Sequence, residues 1–195
     1  MFKIQIIIVA IFIAIIFILI WLNNKKLTYV KSDIDNEDYL VRDLSDKQSA
    51  ANMLARIKKN IMILTDYLIE NKDTTFIEFK PYIEQLSRNI KRVKITENDA
   101  GNSYTSYSVN KGEQIVFCLR SRKQRDKIHD INLIMYVALH EISHVACPTY
   151  GHDELFKKIF AFFTRVAISI NLYKYTPFNE QPTEYCGLII SESII

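Results

Sequence analysis

Hydrophobic residues follow two different patterns along this chain. Residues 4–22 are almost continuously apolar, and Gln5 is the one strongly polar position among them. From residue 47 onward, apolar residues instead recur at the three- and four-residue spacing of amphipathic helices. The pattern therefore predicts an apolar N-terminal segment followed by a domain in which helices predominate.

The apolar segment 4–22 has the length of a membrane span. Its nineteen residues are close to the ~20 that cross a ~30 Å hydrocarbon core, and Trp21 stands near its end, where interfacial aromatic residues are common. A cleaved signal peptide is the alternative, but its apolar region is usually shorter and ends at small residues. We therefore predict an N-terminal transmembrane anchor over 1–22 and a single-pass membrane protein.

The charges around this segment bear on its orientation. Lys3 precedes the apolar run, whereas Lys25, Lys26 and Lys31 follow it. Because positive charge accumulates on the cytoplasmic side, this asymmetry slightly favours a cytoplasmic C-terminal domain. The cysteines, three in number and without a close pair, are not typical of a disulfide scaffold and favour the same compartment.

Two further segments complete the predicted organisation. Residues 23–46 are polar and rich in acidic side chains, which predicts a partly ordered stalk. Residues 47–195 are numerous enough for one domain with its own core. The predicted helices of this domain lie near 47–71, 81–92, 132–146 and 153–171, and the predicted strands over 104–109 and 115–120. The fold class is therefore α+β, with packed helices and a small antiparallel sheet.

The third predicted helix carries the sequence His140-Glu141-Ile142-Ser143-His144. Histidines four residues apart lie on the same helical face, so His140 and His144 can bind one Zn²⁺ at ~2.0–2.1 Å. Glu141 directly follows the first ligand and can act as general base on a water molecule activated by the metal. Three protein ligands would leave a fourth position for substrate, as in catalytic zinc sites.

Two residues are candidates for the third ligand. His152 follows Pro148, which stops the helix, and Gly151, which can adopt the positive φ of a sharp reversal. Glu180 is the alternative, since Asn179-Glu180 faintly resembles the Asn-Glu pair of gluzincin peptidases. Pro182 makes a helix at Glu180 awkward, so we prefer His152. Cys147, beside the site, is interpreted as a packed thiol.

The segment from His140 to Phe156 resembles the WLM and SprT-like metallopeptidases. Those families carry a HExxH helix, a short loop and a third histidine that opens the next helix, and His152, Asp153 and Phe156 match this pattern. Residues 107–120 also resemble the strand pair that precedes the helix in WLM domains. The resemblance covers about 100–165 and implies a minimal zincin fold, zinc as cofactor and peptide-bond hydrolysis.

Three functions stay open at this stage. The first is a membrane-anchored zinc metallopeptidase for protein or peptide substrates, whose predicted hairpin could pair with an extended chain. The second is a zinc-stabilised binding or scaffold module without proteolysis. The third, a protease for proteins crosslinked to DNA, follows some relatives. The basic segment 120–127 is interpreted as a solvated loop, and a net charge of +3 supports a nucleic-acid partner only weakly. The sequence indicates no oligomeric state.

Overall fold

A computed structural model describes residues 2–23, 27–124 and 126–195 of the chain. The helices are α1 (Phe2–Asn23), α2 (Lys47–Asn71), α3 (Lys80–Ile90), α4 (Ile131–Ala146) and α5 (Glu154–Ser169), with a single 3₁₀ turn at Ile77–Phe79. The strands are β1 (Leu27–Lys31), β2 (Asp38–Arg42), β3 (Lys94–Glu97), β4 (Tyr107–Val109), β5 (Gln114–Phe117), β6 (Thr183–Tyr185) and β7 (Leu188–Ile190). The α+β class predicted from the sequence is confirmed.

The central sheet has three strands in the order β3-β5-β4. β4 and β5 form the predicted antiparallel hairpin, in which Ser108 pairs with Ile115. β3 adds a parallel pairing, Ile95 with Ile115, so the sheet is mixed and not purely antiparallel as predicted. β4 therefore occupies an edge of this sheet, on the side where it contacts α4.

The core lies between this sheet and helices α2 to α5. Apolar residues on one face of each helix are withdrawn from solvent, which supplies the main driving force for folding. α4 has no fully polar side and passes through the middle of the domain. The largest fully buried side chains include Phe117 in β5, Phe156 and Phe163 in α5, and Leu54, Ile57, Ile61, Leu64 and Leu68 in α2.

The described part of α1 does not provide the predicted membrane anchor. No helix within the described residues is both long and apolar enough to cross a membrane. This finding contradicts the transmembrane anchor over 1–22, the single-pass localisation and the membrane contact through 4–22. The cytoplasmic placement, which depended on that anchor, is withdrawn with it.

Part of the segment predicted as a stalk is folded. β1 and β2 pair in an antiparallel hairpin whose register matches Tyr29 with Leu40. Tyr39 and Val41 point into the core and are almost fully buried, and the hairpin contacts α2. Burial of these two side chains explains why residues 27–42 join the domain despite their acidic composition.

A disulfide bond joins Cys118 to Cys186. It ties the residue after β5 to the β6–β7 hairpin, across 68 positions of sequence. The number and spacing of the cysteines, which did not suggest a disulfide scaffold, gave no sign of this bond, because spacing along the chain does not reveal which cysteines are close in space. Cys147 is free and buried, as its interpretation as a packed thiol predicted.

The turn between β4 and β5 leaves no room for a side chain at Gly112. Its φ is +110°, and a Cβ there would lie 2.9 Å from Val145 Cγ1 in α4. We expect Gly112→Ala to lower the free energy of unfolding by about 1–3 kcal/mol more than Gly151→Ala. Gly151 is a matched control, since its φ is also positive at +82° but a Cβ there meets nothing within 4 Å. Urea unfolding measures both, and equal losses would contradict a steric cause.

Candidate metal centre

Two of the predicted ligands lie on the exposed edge of an otherwise buried helix. α4 begins at its N-cap Asp130, whose carboxylate accepts a hydrogen bond from the Asn132 amide at 2.8 Å. Its apolar positions then bury one side of the helix in the core. His140 and His144 are only partly buried, because the four-residue spacing places both on the side that faces a cleft.

The chain returns to these histidines through a short loop. α4 ends at Ala146, and its C-cap Cys147 is extended. Gly151 reverses the direction of the chain with its positive φ, and Asp153 then caps α5 by accepting a hydrogen bond from the Phe156 amide at 2.9 Å. His152, just before this cap, is thereby presented to the α4 pair, as the sequence predicted.

The three imidazoles converge on one point. The Nε2 atom of His144 lies 3.1 Å from those of His140 and His152, and the latter two are 3.0 Å apart. Tetrahedral Zn–N bonds of ~2.0–2.1 Å would separate the nitrogens by roughly 3.3 Å, close to these values. The described cluster of three histidines could hold a metal ion. Glu180, the alternative ligand, is exposed in a turn and does not belong to this cluster.

Aromatic rings from α5 fix the orientation of the imidazoles. Phe156 is almost fully buried and stacks on His144, with ring centroids 4.2 Å apart. It meets His140 edge-on at 5.0 Å, and Phe160 meets the same histidine at 5.2 Å. Packing on two sides restricts the rings and presents their Nε2 atoms to the cleft. Phe156 was noticed in the sequence as part of the family pattern, whereas the role of Phe160 was not.

The environment of His140 and His144 keeps their imidazoles neutral, which is the form that binds metals. Burial, together with the neighbouring His144 and His152, lowers the pKa of His140 to about 3. Burial and His152 also lower the pKa of His144, to about 4. Three imidazole nitrogens this close cannot all hydrogen-bond to one another, because each neutral Nε2 is either a donor or an acceptor. A cation among them would satisfy all three, so the donor set fits a divalent metal.

Glu141 lies beside the cluster and is 4% exposed. Its Oε2 atom has no hydrogen-bond partner within the described part of the chain. Burial raises the pKa of this carboxyl to about 8. Burying a carboxyl without a partner is unfavourable, so a group left in this condition beside three metal-ligating side chains is typical of a functional site.

These residues line a cleft of about 590 Å³. Residues 105–108, in and before the edge strand β4, form one wall, and α4 forms another. The third wall comes from the C-terminal segment, through Tyr185, Ile190 and Glu192. The cleft is therefore open to solvent above the three histidines.

The position of Tyr185 could not be foreseen from the sequence. The tyrosine is 3% exposed, and its hydroxyl lies 2.5 Å from Ser106 Oγ. Ser106 Oγ also accepts a hydrogen bond from the Cys118 amide at 3.0 Å. The sequence identified several tyrosines near the C-terminus without distinguishing among them, since this contact joins residues that are 79 positions apart.

Yeast Wss1 structures are among the solved structures that are similar to this chain. No family model matches the chain. A crystal structure of a Wss1 mutant from Saccharomyces cerevisiae is similar, with a TM-score of 0.49 and 18% identity over 68% of this chain and 91% of that one. A crystal structure of Wss1 from the same yeast has a TM-score of 0.37 and 21% identity over 52% of this chain and 83% of that one.

Uncharacterized viral proteins are among the sequences similar to this chain. The uncharacterized protein 136R of Invertebrate iridescent virus 6 is 39% identical over 72 residues, 36% of this chain and 40% of that protein. The uncharacterized protein R325 of Acanthamoeba polyphaga mimivirus is 50% identical over 190 residues, 96% of this chain and 95% of that protein. With half of the aligned residues identical along nearly its whole length, this chain belongs to the family of the mimivirus protein R325.

Proposed function

We propose that this protein is a zinc-dependent metallopeptidase. The observation that carries the proposal is the convergence of three histidine Nε2 atoms, 3.0–3.1 Å apart, beside the buried carboxylate of Glu141. His140, His144 and His152 would hold the zinc. When bound, zinc supplies Lewis-acid chemistry, polarising a carbonyl group and lowering the pKa of a water molecule.

Glu141 would move the proton in this reaction. Its carboxylate accepts a proton from the attacking water and then delivers it to the nitrogen of the leaving amine. Glu141 lines the cleft beside the three histidines, and its Oε2 has no competing hydrogen-bond partner within the described residues, which supports this role. A purely structural metal site has no use for such a carboxylate.

The shape of the cleft supports a protein or peptide as substrate. β4 is an edge strand, so its outer main-chain groups have no strand partner within the described residues. An extended peptide could pair with Tyr107–Val109 and present a peptide bond to the site with little dependence on its side chains. Tyr107, Tyr136 and Phe160 line the same cleft and offer apolar contacts to the substrate.

Two arginines of the basic segment 120–127 are engaged within the protein. Arg120 is 2% exposed and pairs with Glu97 at 2.7 Å and with Asp46 at 2.6 Å. Arg122 donates hydrogen bonds to the backbone carbonyls of Asn102 and Tyr104. Both arginines thus serve the fold, and a protein or peptide substrate is the simpler proposal.

Metal analysis tests the proposed ligands. We expect His152→Ala to lower the zinc affinity by at least ~100-fold, since even the loss of a group that supports a ligand costs about 10–100-fold. Glu180→Ala is the matched control and should bind zinc as the wild type does, because Glu180 lies outside the cluster. Competition with a chromophoric chelator measures both affinities. A wild-type affinity in His152→Ala, or a loss in Glu180→Ala, would contradict the assignment.

A further inference from the structure

The end of α4 is held by a lysine from the β4–β5 turn. Lys111 Nζ donates hydrogen bonds to the backbone carbonyls of Cys147 at 2.7 Å, Thr149 at 2.6 Å and His144 at 3.3 Å. An ammonium group has three N–H donors, so these three acceptors use all of them. Lys111 lines the cleft, but its donors are committed to the protein and are not available to a substrate.

The need for these donors follows from the geometry of a helix end. The last carbonyl groups of an α-helix have no partner inside the helix, and the C-terminal end carries partial negative charge. Here the end is fully buried at Val145, Ala146 and Cys147, so water cannot supply the missing donors. Gln85 Nε2, from α3, reaches the carbonyls of Val145 at 3.0 Å and Cys147 at 3.3 Å. Lys111 shares the carbonyl of Cys147 with Gln85 and also bonds to the carbonyls of His144 in the helix and Thr149 in the loop.

That loop is the connection between two of the proposed ligands. It leaves α4 just after His144 and reaches His152 through residues 147–151. Lys111 bonds to the carbonyl of His144 itself and to that of Thr149, three residues before His152. The aromatic ring of Tyr150 also lies over the ammonium group, 4.4 Å from Nζ. One side chain thus fixes both the end of the helix and the path by which the chain returns to the cleft.

We infer that Lys111 is a positioning residue of the metal centre, whose ammonium group fixes the 147–151 loop so that His152 meets His140 and His144. The inference rests on the proposed metal centre and extends it to a residue that touches neither metal nor substrate. The conformation of the β4–β5 turn, which carries Lys111, brings this side chain to the end of α4. Asn110 and Lys111 both adopt positive φ, and the backbone of Gly112 packs directly on Val145.

The sign of the effect distinguishes positioning from simple electrostatics. By charge alone, removing a lysine near a dication would strengthen metal binding. Positioning predicts the opposite, because a loop that has lost its ties presents His152 less often in the binding geometry. We therefore expect Lys111→Met, which keeps the length of the side chain but not its donors, to lower the zinc affinity of the full chain by about 10–100-fold.

A double-mutant cycle shows whether the effect acts through His152. In a His152→Ala background, Lys111→Met should change the zinc affinity by less than about threefold, since the loop then carries no ligand. Lys94→Met is the matched control. Lys94 is exposed in β3, makes no side-chain hydrogen bond within the described residues, and should leave the affinity unchanged.

Several outcomes would overturn the inference. Unchanged or tighter zinc binding in Lys111→Met would do so, as would an equal loss of affinity with and without His152. If Lys111→Met does not fold, Lys111→Gln keeps two of the three N–H donors and should still lose affinity by at least about threefold. An unchanged affinity in that variant would overturn it too. A wild-type protein that binds no zinc would defeat the proposed function as well, whereas the other results concern Lys111 alone.

Discussion

Replacing Glu141 with glutamine should abolish peptide hydrolysis and leave zinc binding intact. The amide has nearly the shape of the carboxylate but cannot accept a proton from water, so the attacking nucleophile is not generated. General-base catalysis contributes about 10²–10⁴-fold, and kcat/KM on a fluorogenic peptide should fall by at least that factor. The zinc content of the purified variant should match that of the wild type, because the three histidines do not depend on this side chain.

A second carboxylate in the same cleft provides the control. Glu192 also lines the cavity but is exposed, and it belongs to the C-terminal segment. Glu192→Gln removes one negative charge from the cleft and should leave most of the activity. If both variants lose hydrolysis equally, the charge of the cleft matters and not the position of Glu141. If the zinc-loaded wild type itself cleaves no peptide, the alternative of a zinc-stabilised binding module gains support.

The site could be predicted from the sequence to the extent that its geometry is local. Helix periodicity alone brings His140 and His144 together, because residues four positions apart on a helix lie on the same face. The return of His152 required only a loop of a few residues, for which Pro148 and Gly151 gave clear signals. The three histidines lie within twelve positions of one another along the chain. Over so short a distance, the helix pattern and the turn residues are enough to predict the path of the backbone.

The remaining parts of the site depend on contacts between distant segments. Ser106 meets Tyr185, and Lys111 meets the carbonyl of Thr149, without any motif to mark them. β3 was missed because its four residues are too short to show alternation, although its pairing makes the sheet mixed. Such contacts are set by how the elements pack, so they appear only when the whole domain is assembled.

The cysteines illustrate the same limit and lead to a prediction of stability. Cys118 and Cys186 are almost fully buried, and their bond closes a loop of 68 positions. A crosslink of this length restricts the unfolded chain and is worth about 4 kcal/mol by loop-closure entropy. We therefore expect the double variant Cys118→Ser, Cys186→Ser to be less stable than the wild type by about that amount, near a 10³-fold change in the unfolding equilibrium.

Urea unfolding with and without reductant measures this contribution. Reductant should destabilise the wild type about as much as the double substitution does and should leave the double variant unchanged, which excludes effects on the free thiol of Cys147. The prediction would be contradicted if reductant left the unfolding free energy of the wild type unchanged. It would also be contradicted if reductant lowered the unfolding free energy of the double variant as much as that of the wild type.

The disulfide should affect the cleft and the metal centre unequally. Tyr185 and Ile190 form a wall of the cleft, and the bond at Cys186 fastens their hairpin to the residue after β5. The three histidines lie instead on α4 and on the loop before α5, where Phe156 and Phe160 hold two of the rings. Below the unfolding transition, the double variant should therefore keep its zinc affinity while its KM for peptides rises, because one wall is loosened. A parallel loss of zinc would mean that the C-terminal hairpin also supports the ligands.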